Sequence, residues 1–157
     1  MANIQFTSMP TKDAEHYWNG GLDAYGQKPQ SGISDGSGLP CRHCQQDIEE
    51  GEEFFLLAYK PFEKDQPFTE TGPIFLHKHA CTRYPETSAT PEMFLKRESY
   101  LVKGYKEDDS IFYGTGKIIP PSEIENYAKE ILSNEDVSYL HIRSATNGCF
   151  SCRIDRA

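Results

Sequence analysis

Residues 99–143, SYLVKGYKEDDSIFYGTGKIIPPSEIENYAKEILSNEDVSYLHIR, decide the fold class of this chain. Two apolar and aromatic segments, 99–105 and 111–119, flank the polar turn KEDDS, and this pattern predicts a β-hairpin. A helical pattern follows the hairpin, and the alternating segment 137–143 predicts a further strand. Strands and a helix in this order indicate an α+β fold with a mainly antiparallel sheet.

The helix in this stretch has a start signal and an apolar face. Ser122 and Glu125 follow two prolines and have the spacing of a capping box, in which each side chain satisfies a backbone donor. The residues that share one helix face are apolar: Ile124, Tyr127, Ala128, Ile131 and Leu132. We therefore expect the helix to pack this face on the sheet.

The strand after the helix has two different faces. Leu140 and Ile142 lie on one face, which predicts contact with the core. Tyr139, His141 and Arg143 lie on the other face.

The other regular elements are shorter. The apolar runs 53–60 and 73–77 predict strands, and Thr90-Pro91 predicts the start of a short helix. Together, the predicted strands and helices indicate a single α+β domain with two or three helices.

The first forty residues lack a strong pattern. SGISDGSGLP at 31–40 is rich in Ser and Gly and predicts a loop, and Asp13 to Trp18 predict a short helix that ends at two glycines. We interpret residues 1–40 as an N-terminal arm or irregular cap, and residues 41–157 as the α+β core of the same single domain.

The charge of the chain limits its partners. The net charge is −8, and Lys and Arg form no cluster, which weighs against a nucleic-acid or membrane-binding surface. The N-terminus shows no secretory pattern and no apolar run is long enough to span a membrane, so we expect a cytoplasmic protein. A small anionic ligand or a protein partner remains compatible with this charge.

Five cysteines carry the main chemical signal, because four of them form two Cys-x-x-Cys pairs, CRHC at 41–44 and CFSC at 149–152. In a reducing compartment such pairs are more often metal ligands or redox groups than structural disulfides. Two residues between the cysteines let one turn direct both thiolates at one ion, so we predict a zinc site.

Two sets of four ligands compete for this site. One set is Cys41, Cys44, Cys149 and Cys152, although 104 residues separate the two pairs. The other set is Cys41, Cys44, His77 and Cys81, with His79 as a substitute for His77. The residues around the first pair resemble the zinc knuckle of treble-clef modules. A site rich in cysteine fills every coordination position and is structural; a catalytic zinc would use a nearby carboxylate, for which Glu70 is the candidate.

Alternatives without a metal are also open. Cys149 or Cys152 beside His141 would suit an enzyme with thiol or redox chemistry, and free cysteines are often only small apolar core residues. A thioredoxin-like site is excluded by position, because neither pair precedes a helix of sufficient length. His141, Arg143 and Arg153 are also candidates to bind a carboxylate or phosphate through charge-assisted hydrogen bonds.

Five segments together resemble one bacterial family: PCRHC, GEEFFLLAYKPF, FTETGPIFLH, YLVKGY and HIRSATNGCFSCRIDRA. This family is known as domain of unknown function number twelve-oh-three. The resemblance runs from about residue 30 to the C-terminus and implies a single-domain bacterial protein without an established activity. It also implies that six positions are typical of the family: Cys41, Cys44, His77, Cys81, Cys149 and Cys152.

Overall fold

The computed structural model describes all 157 residues and contains three helices and ten strands. The helices are α1 (Thr11–Trp18), α2 (Glu92–Leu95) and α3 (Pro121–Ile131). The strands are β1 (Ile4–Thr7), β2 (Gln30–Ile33), β3 (Leu39–Pro40), β4 (Asp47–Ile48), β5 (Glu53–Tyr59), β6 (Gly72–His77), β7 (Tyr100–Tyr105), β8 (Lys117–Ile119), β9 (Tyr139–Ser144) and β10 (Phe150–Arg156). Every pairing between these strands is antiparallel, which confirms the α+β class.

Internal contacts divide the chain into two compact units. Unit 1 consists of Met1–Thr7, Phe62–Thr69 and Pro85–Ala157, and unit 2 consists of Ser8–Pro61 and Glu70–Tyr84. The first forty residues contribute β1 to unit 1 and α1 to unit 2. The predicted arm at 1–40 and core at 41–157 stay a prediction.

Unit 1 is built on a five-stranded sheet with the strand order β1-β10-β9-β7-β8. Leu140 and Ile142 of β9 are fully buried in an apolar core with Ile124 and Ala128 of α3, as their spacing predicted. Burial of each large aliphatic side chain contributes about 1.5–3 kcal/mol to folding. This core holds the sheet and the helix together.

Two strands of this sheet, β1 and β10, were not predicted. Their inward residues do alternate, with Ile4 and Phe6 in β1 and Cys152 and Ile154 in β10, and all four are buried in the core. The intervening residues are polar or charged, so the apolar signal of each strand is only two residues long.

The predicted capping box of α3 is wrong. The helix begins after Pro120, and no side chain caps its first turn. The Glu125 carboxylate instead accepts hydrogen bonds from the Thr90 N–H at 3.1 Å and the Thr90 hydroxyl at 3.2 Å. The start of the helix is set by proline, whose fixed φ suits the first helical position. The predicted strand at 111–119 is also shorter: Lys117–Ile119 form β8 on β7, and Ile111 makes only an isolated bridge to Tyr105.

Unit 2 contains a three-stranded sheet with the order β2-β5-β6, the small pair β3-β4, and α1. The Tyr59 hydroxyl of β5 donates to an Asp13 carboxylate oxygen of α1 at 2.9 Å. Gly20 has a φ of 88°, in the left-handed region that favours glycine, so the chain turns away after α1. None of the three helices combines the length and the apolar character needed to cross a membrane.

Candidate metal centre

The first half of the site is a two-stranded knuckle in unit 2. The CRHC turn joins β3 to β4, which pair antiparallel. The Cys41 N–H donates to Gln46 O and the Gln45 N–H donates to Cys41 O, each at 3.0 Å. Gln45 closes this turn in the left-handed region, with a φ of 54°. The turn therefore holds Cys41 and Cys44 near each other.

The second half of the site comes from β6 and the residues after it. Phe75 of β6 forms a bridge to Cys41, and the Arg42 N–H donates to Phe75 O at 3.3 Å. His77 ends β6, and its N–H donates to Cys41 Sγ at 3.4 Å. Cys81 follows in an irregular segment. Strand pairing thus places the later His and Cys beside the knuckle.

The four side chains have the spacing of a metal-binding tetrad. One ligand atom from each of Cys41, Cys44, His77 and Cys81 lies within 4.8 Å of all the others. Cys41 Sγ and Cys81 Sγ are 3.9 Å apart, and Cys44 Sγ is 3.4 Å from His77 Nδ1. Zinc bonded to sulfur at about 2.3 Å and to nitrogen at about 2.0 Å in a tetrahedron requires edges of about 3.8 Å and 3.6 Å. The cluster could therefore hold a metal ion.

Without a cation, Cys41, His77 and Cys81 shift one another's pKa. Hydrogen bonds from Cys44 and Cys81 hold the pKa of the Cys41 thiol far below its usual value, and donation to Cys41 raises the pKa of the Cys81 thiol. A hydrogen bond to Cys41 raises the pKa of His77 to about 11. These shifts favour a Cys41 thiolate beside a protonated His77. A divalent cation would displace these protons and neutralise the thiolates.

A buried histidine inside the knuckle supports Cys81. His43 is 1% exposed, its Nδ1 lies 3.2 Å from Cys81 Sγ, and its Nε2 lies 2.9 Å from the Thr11 hydroxyl of α1. A metal-bound Cys81 thiolate would only accept hydrogen bonds, so in that state His43 Nδ1 would carry the proton and Nε2 would accept from the Thr11 hydroxyl. Burial lowers the pKa of His43, which keeps the ring neutral.

The same helix also supports the backbone beside the site. Trp18 Nε1 of α1 donates to His77 O at 2.8 Å, and the Trp18 ring packs edge-on against His43 at 5.2 Å between centroids. Sequence reasoning missed His43, Thr11 and Trp18 as parts of the site. The only signal in the sequence is the histidine inside the Cys-x-x-Cys pair.

Substitution of His43 by alanine is expected to lower metal affinity by about 10–100-fold, because groups that hydrogen-bond to metal ligands typically contribute this much. Competition with a chromophoric chelator would measure the affinity. Thr11→Val should weaken binding less, since it removes only the outer hydrogen bond. Unchanged affinity in His43→Ala would show that this histidine does not support the site.

An acidic pocket of about 650 Å³ opens beside the cluster. Its lining includes Cys44, His77 and Cys81 together with the carboxylates of Asp47, Glu49, Glu52 and Glu53. His77 Nε2 lies 3.4 Å from Glu52 Oε1, so Glu52 accepts its N–H and leaves Nδ1 to face the thiols. A carboxylate on the outer nitrogen of a metal-binding histidine fixes the tautomer and the ring orientation.

The alternative ligands lie outside the cluster. His79 is exposed and pairs with Glu53 at 3.1 Å, so His77, and not His79, faces the three thiols. Glu70 is not among the residues of the cluster or of its pocket. No carboxylate belongs to the cluster.

The second Cys-x-x-Cys pair lies in unit 1, and neither of its cysteines belongs to the cluster. Cys152 is 1% exposed, and its Sγ donates to Thr7 O at 3.4 Å. Cys149 is partly buried, with its Sγ 3.9 Å from Asn147 O. Of the two predicted sets of four ligands, the structure brings together the one with His77 and Cys81.

The predicted anion-binding residues share one sheet face in unit 1. His141 of β9 stands opposite Lys103 of β7 and Arg153 of β10. Arg143 donates to His141 Nδ1 at 3.1 Å, and the Arg153 guanidinium lies 3.9 Å from the centroid of the Tyr139 ring. The structure therefore places the three residues together, while their binding of an anion stays a prediction.

His141 is neutral in this environment. It is 1% exposed, and four aromatic rings surround it at centroid distances of 4.7 to 5.3 Å. Burial, with a smaller effect of Arg143 and Arg153, lowers the pKa of His141 well below its usual value. Because Nδ1 accepts from Arg143, that nitrogen is not free to deprotonate a thiol.

The burial of His141 predicts that acid lowers the stability of the folded protein. Unfolded His141 takes up a proton below about pH 6.5, while folded His141 stays neutral, so acid favours the unfolded state. The free energy of unfolding is expected to fall below this pH with a slope approaching about 1.4 kcal/mol per pH unit from this residue. Urea unfolding of the wild type and of His141→Phe between neutral and mildly acidic pH would measure this slope. Equal slopes of unfolding free energy with pH in the two proteins would contradict the prediction that folded His141 stays neutral.

The structure defines an α+β protein with a cluster of three cysteines and one histidine that could hold a metal ion. The sequence profile of the family described as protein of unknown function, DUF1203, matches residues 38–156, about three quarters of the chain. The chain belongs to this family. A search of curated proteins and a search of solved structures each found no significant match.

Proposed function

We propose that the protein binds one zinc ion through Cys41, Cys44, His77 and Cys81. The observation that supports this proposal is the approach of four ligand atoms to within 4.8 Å of one another. Thiolate and imidazole ligands in a tetrahedron are the set that zinc prefers, whereas magnesium and calcium prefer oxygen ligands. No carboxylate belongs to the cluster, so hard cations have little to bind there.

The zinc has a structural role in this proposal. Three thiolates and one imidazole fill a tetrahedron and leave no position for water or substrate. The ion would join the β3-β4 knuckle to the end of β6 and to the irregular segment that carries Cys81. Glu52 and His43 would orient two of the ligands and take no part in a reaction.

The proposal also covers the cellular location of the protein and its binding partners. Reduced thiols suit the cytoplasm of a bacterial cell, where disulfides are rare. The sheet face with His141, Arg143 and Arg153 is the candidate surface for a small anionic ligand or a protein partner, because cationic groups lie on both sides of a neutral imidazole. A thiol enzyme built on Cys149 or Cys152 has less support, since Arg143 donates to the imidazole nitrogen Nδ1.

Elemental analysis of protein purified without added metal is expected to find about one zinc per chain. His77→Ala should lose most of this zinc, and His79→Ala, an exposed histidine on the same pocket, is the matched control and should keep it. Cobalt exchanged into the site should give the intense thiolate charge-transfer band and the visible bands of tetrahedral coordination. Equal zinc content in the two variants would contradict the proposed ligand set.

A further inference from the structure

The four proposed ligands differ in their access to solvent. Cys41 and Cys44 are 0% and 7% exposed, whereas Cys81 is only partly buried and lines the acidic pocket. A small neutral molecule that enters this pocket therefore meets the Cys81 sulfur at its wall. A neutral reactant is favoured over an anion there, because the carboxylates of the lining repel negative charge.

The partner of Cys81 for a disulfide is already in contact with it. Cys41 Sγ lies 3.9 Å from Cys81 Sγ. Cys44 also hydrogen-bonds to Cys41, but Cys44 is buried at 7% exposure, whereas Cys81 is the more accessible of the two neighbours. A disulfide has a sulfur–sulfur bond of about 2.05 Å, so the two sulfurs must approach by about 2 Å. Cys41 is held by the knuckle, but Cys81 lies in a segment without regular structure, which permits the movement.

We propose that Cys81 is a site of oxidation by hydrogen peroxide, and that the reaction produces a Cys41–Cys81 disulfide and releases the metal. This inference rests on the proposed zinc site. A metal-bound cysteine is already a thiolate, which is the form that reacts with peroxide. Loss of two of the four ligands leaves only Cys44 and His77, too few to retain the ion.

The reaction balances with peroxide as the only oxidant. The Cys81 thiolate attacks one peroxide oxygen and the O–O bond breaks, so that Cys81 becomes a sulfenic acid. The hydroxide that leaves is neutralised by a buffer acid and becomes water. The Cys41 thiolate then attacks the Cys81 sulfur, the S–S bond forms, and the S–O bond breaks with loss of a second hydroxide. The two sulfurs lose two electrons in total, and peroxide gains both.

The test uses full-length, zinc-loaded protein with Cys149→Ser, which removes the other partly exposed cysteine. Hydrogen peroxide is added, a chromophoric chelator reports released zinc, and peptide mapping identifies the disulfide. Cys81→His and Cys44→His both retain two cysteines and two histidines, a common zinc set. We expect Cys81→His to release zinc roughly tenfold more slowly than the parent, because it has no sulfur at the accessible position, and Cys44→His to stay sensitive.

A Cys41–Cys81 peptide that appears together with released zinc, and that dithiothreitol reverses, would support the inference. Zinc retained under peroxide, a Cys41–Cys44 disulfide, or release from Cys81→His as fast as from the parent would overturn it while leaving the zinc site intact. A protein without zinc before peroxide is added would overturn the site and the inference together.

Discussion

Protein with Cys41→Ser is expected to contain no stoichiometric zinc after purification. Cys41 Sγ lies at the centre of the cluster: it contacts Cys81 Sγ at 3.9 Å and accepts the His77 N–H at 3.4 Å. Serine replaces a thiolate with a neutral hydroxyl, which is a poor zinc ligand, and structural zinc sites contribute binding free energies of about 10–16 kcal/mol in small domains. Elemental analysis and chelator competition measure the loss.

The matched control is Cys149→Ser, which changes the other Cys-x-x-Cys pair. Cys149 lies in unit 1 and outside the cluster, so this variant should keep its zinc. Loss of zinc from both variants would favour the set of Cys41, Cys44, Cys149 and Cys152. Retention by both would mean that the metal binds elsewhere.

Removal of the metal is expected to loosen unit 2 strongly. The ion would connect the knuckle to the end of β6, so its loss frees segments that are distant in sequence. A ligand present at about a thousand times its dissociation constant stabilises the folded state by about 4 kcal/mol. Hydrogen exchange after treatment with a strong chelator should show faster exchange at 39–48 and 72–81.

The same chelator applied to Cys41→Ser provides the control, because this variant has no zinc to lose. Its exchange in these two segments should resemble that of the stripped wild type and should not change further. Unchanged protection of the wild type after complete removal of zinc would show that the ion does not stabilise unit 2.

Hydrophobic runs and helical periodicity in the sequence predicted strands β5 and β6 and helix α3. The apolar runs at 53–60 and 73–77 became β5 and β6, and the apolar stripe of α3 lies in the core. Strands β1 and β10 were not predicted because each contributes only two residues to the core, separated by polar residues. Their pairing joins the two termini of the chain, and no local pattern encodes so distant a contact.

Sequence reasoning identified the candidate ligands but could not choose between the two sets. Both sets require closure of a long loop, and spacing alone does not favour 32 intervening residues over 104 enough to decide. Strand pairing determines which of the two ligand sets comes together, because the bridge between Cys41 and Phe75 places His77 beside the knuckle. His43 was missed because its role depends on Thr11, which lies on a helix far earlier in the chain.

The sheet face around His141 was predicted by simple alternation, because β9 is a regular strand. The neutrality of His141 was not predicted. It follows from the rings of Phe62, Tyr105, Tyr139 and Phe150, which come from four separate parts of the sequence.

X-ray absorption at the zinc edge of the purified protein tests the metal site most directly. The account predicts one zinc with three sulfur neighbours at about 2.3 Å and one nitrogen neighbour at about 2.0 Å. Four sulfur neighbours would instead select the set with Cys149 and Cys152. A protein without zinc, or zinc bound only by nitrogen and oxygen, would contradict the account.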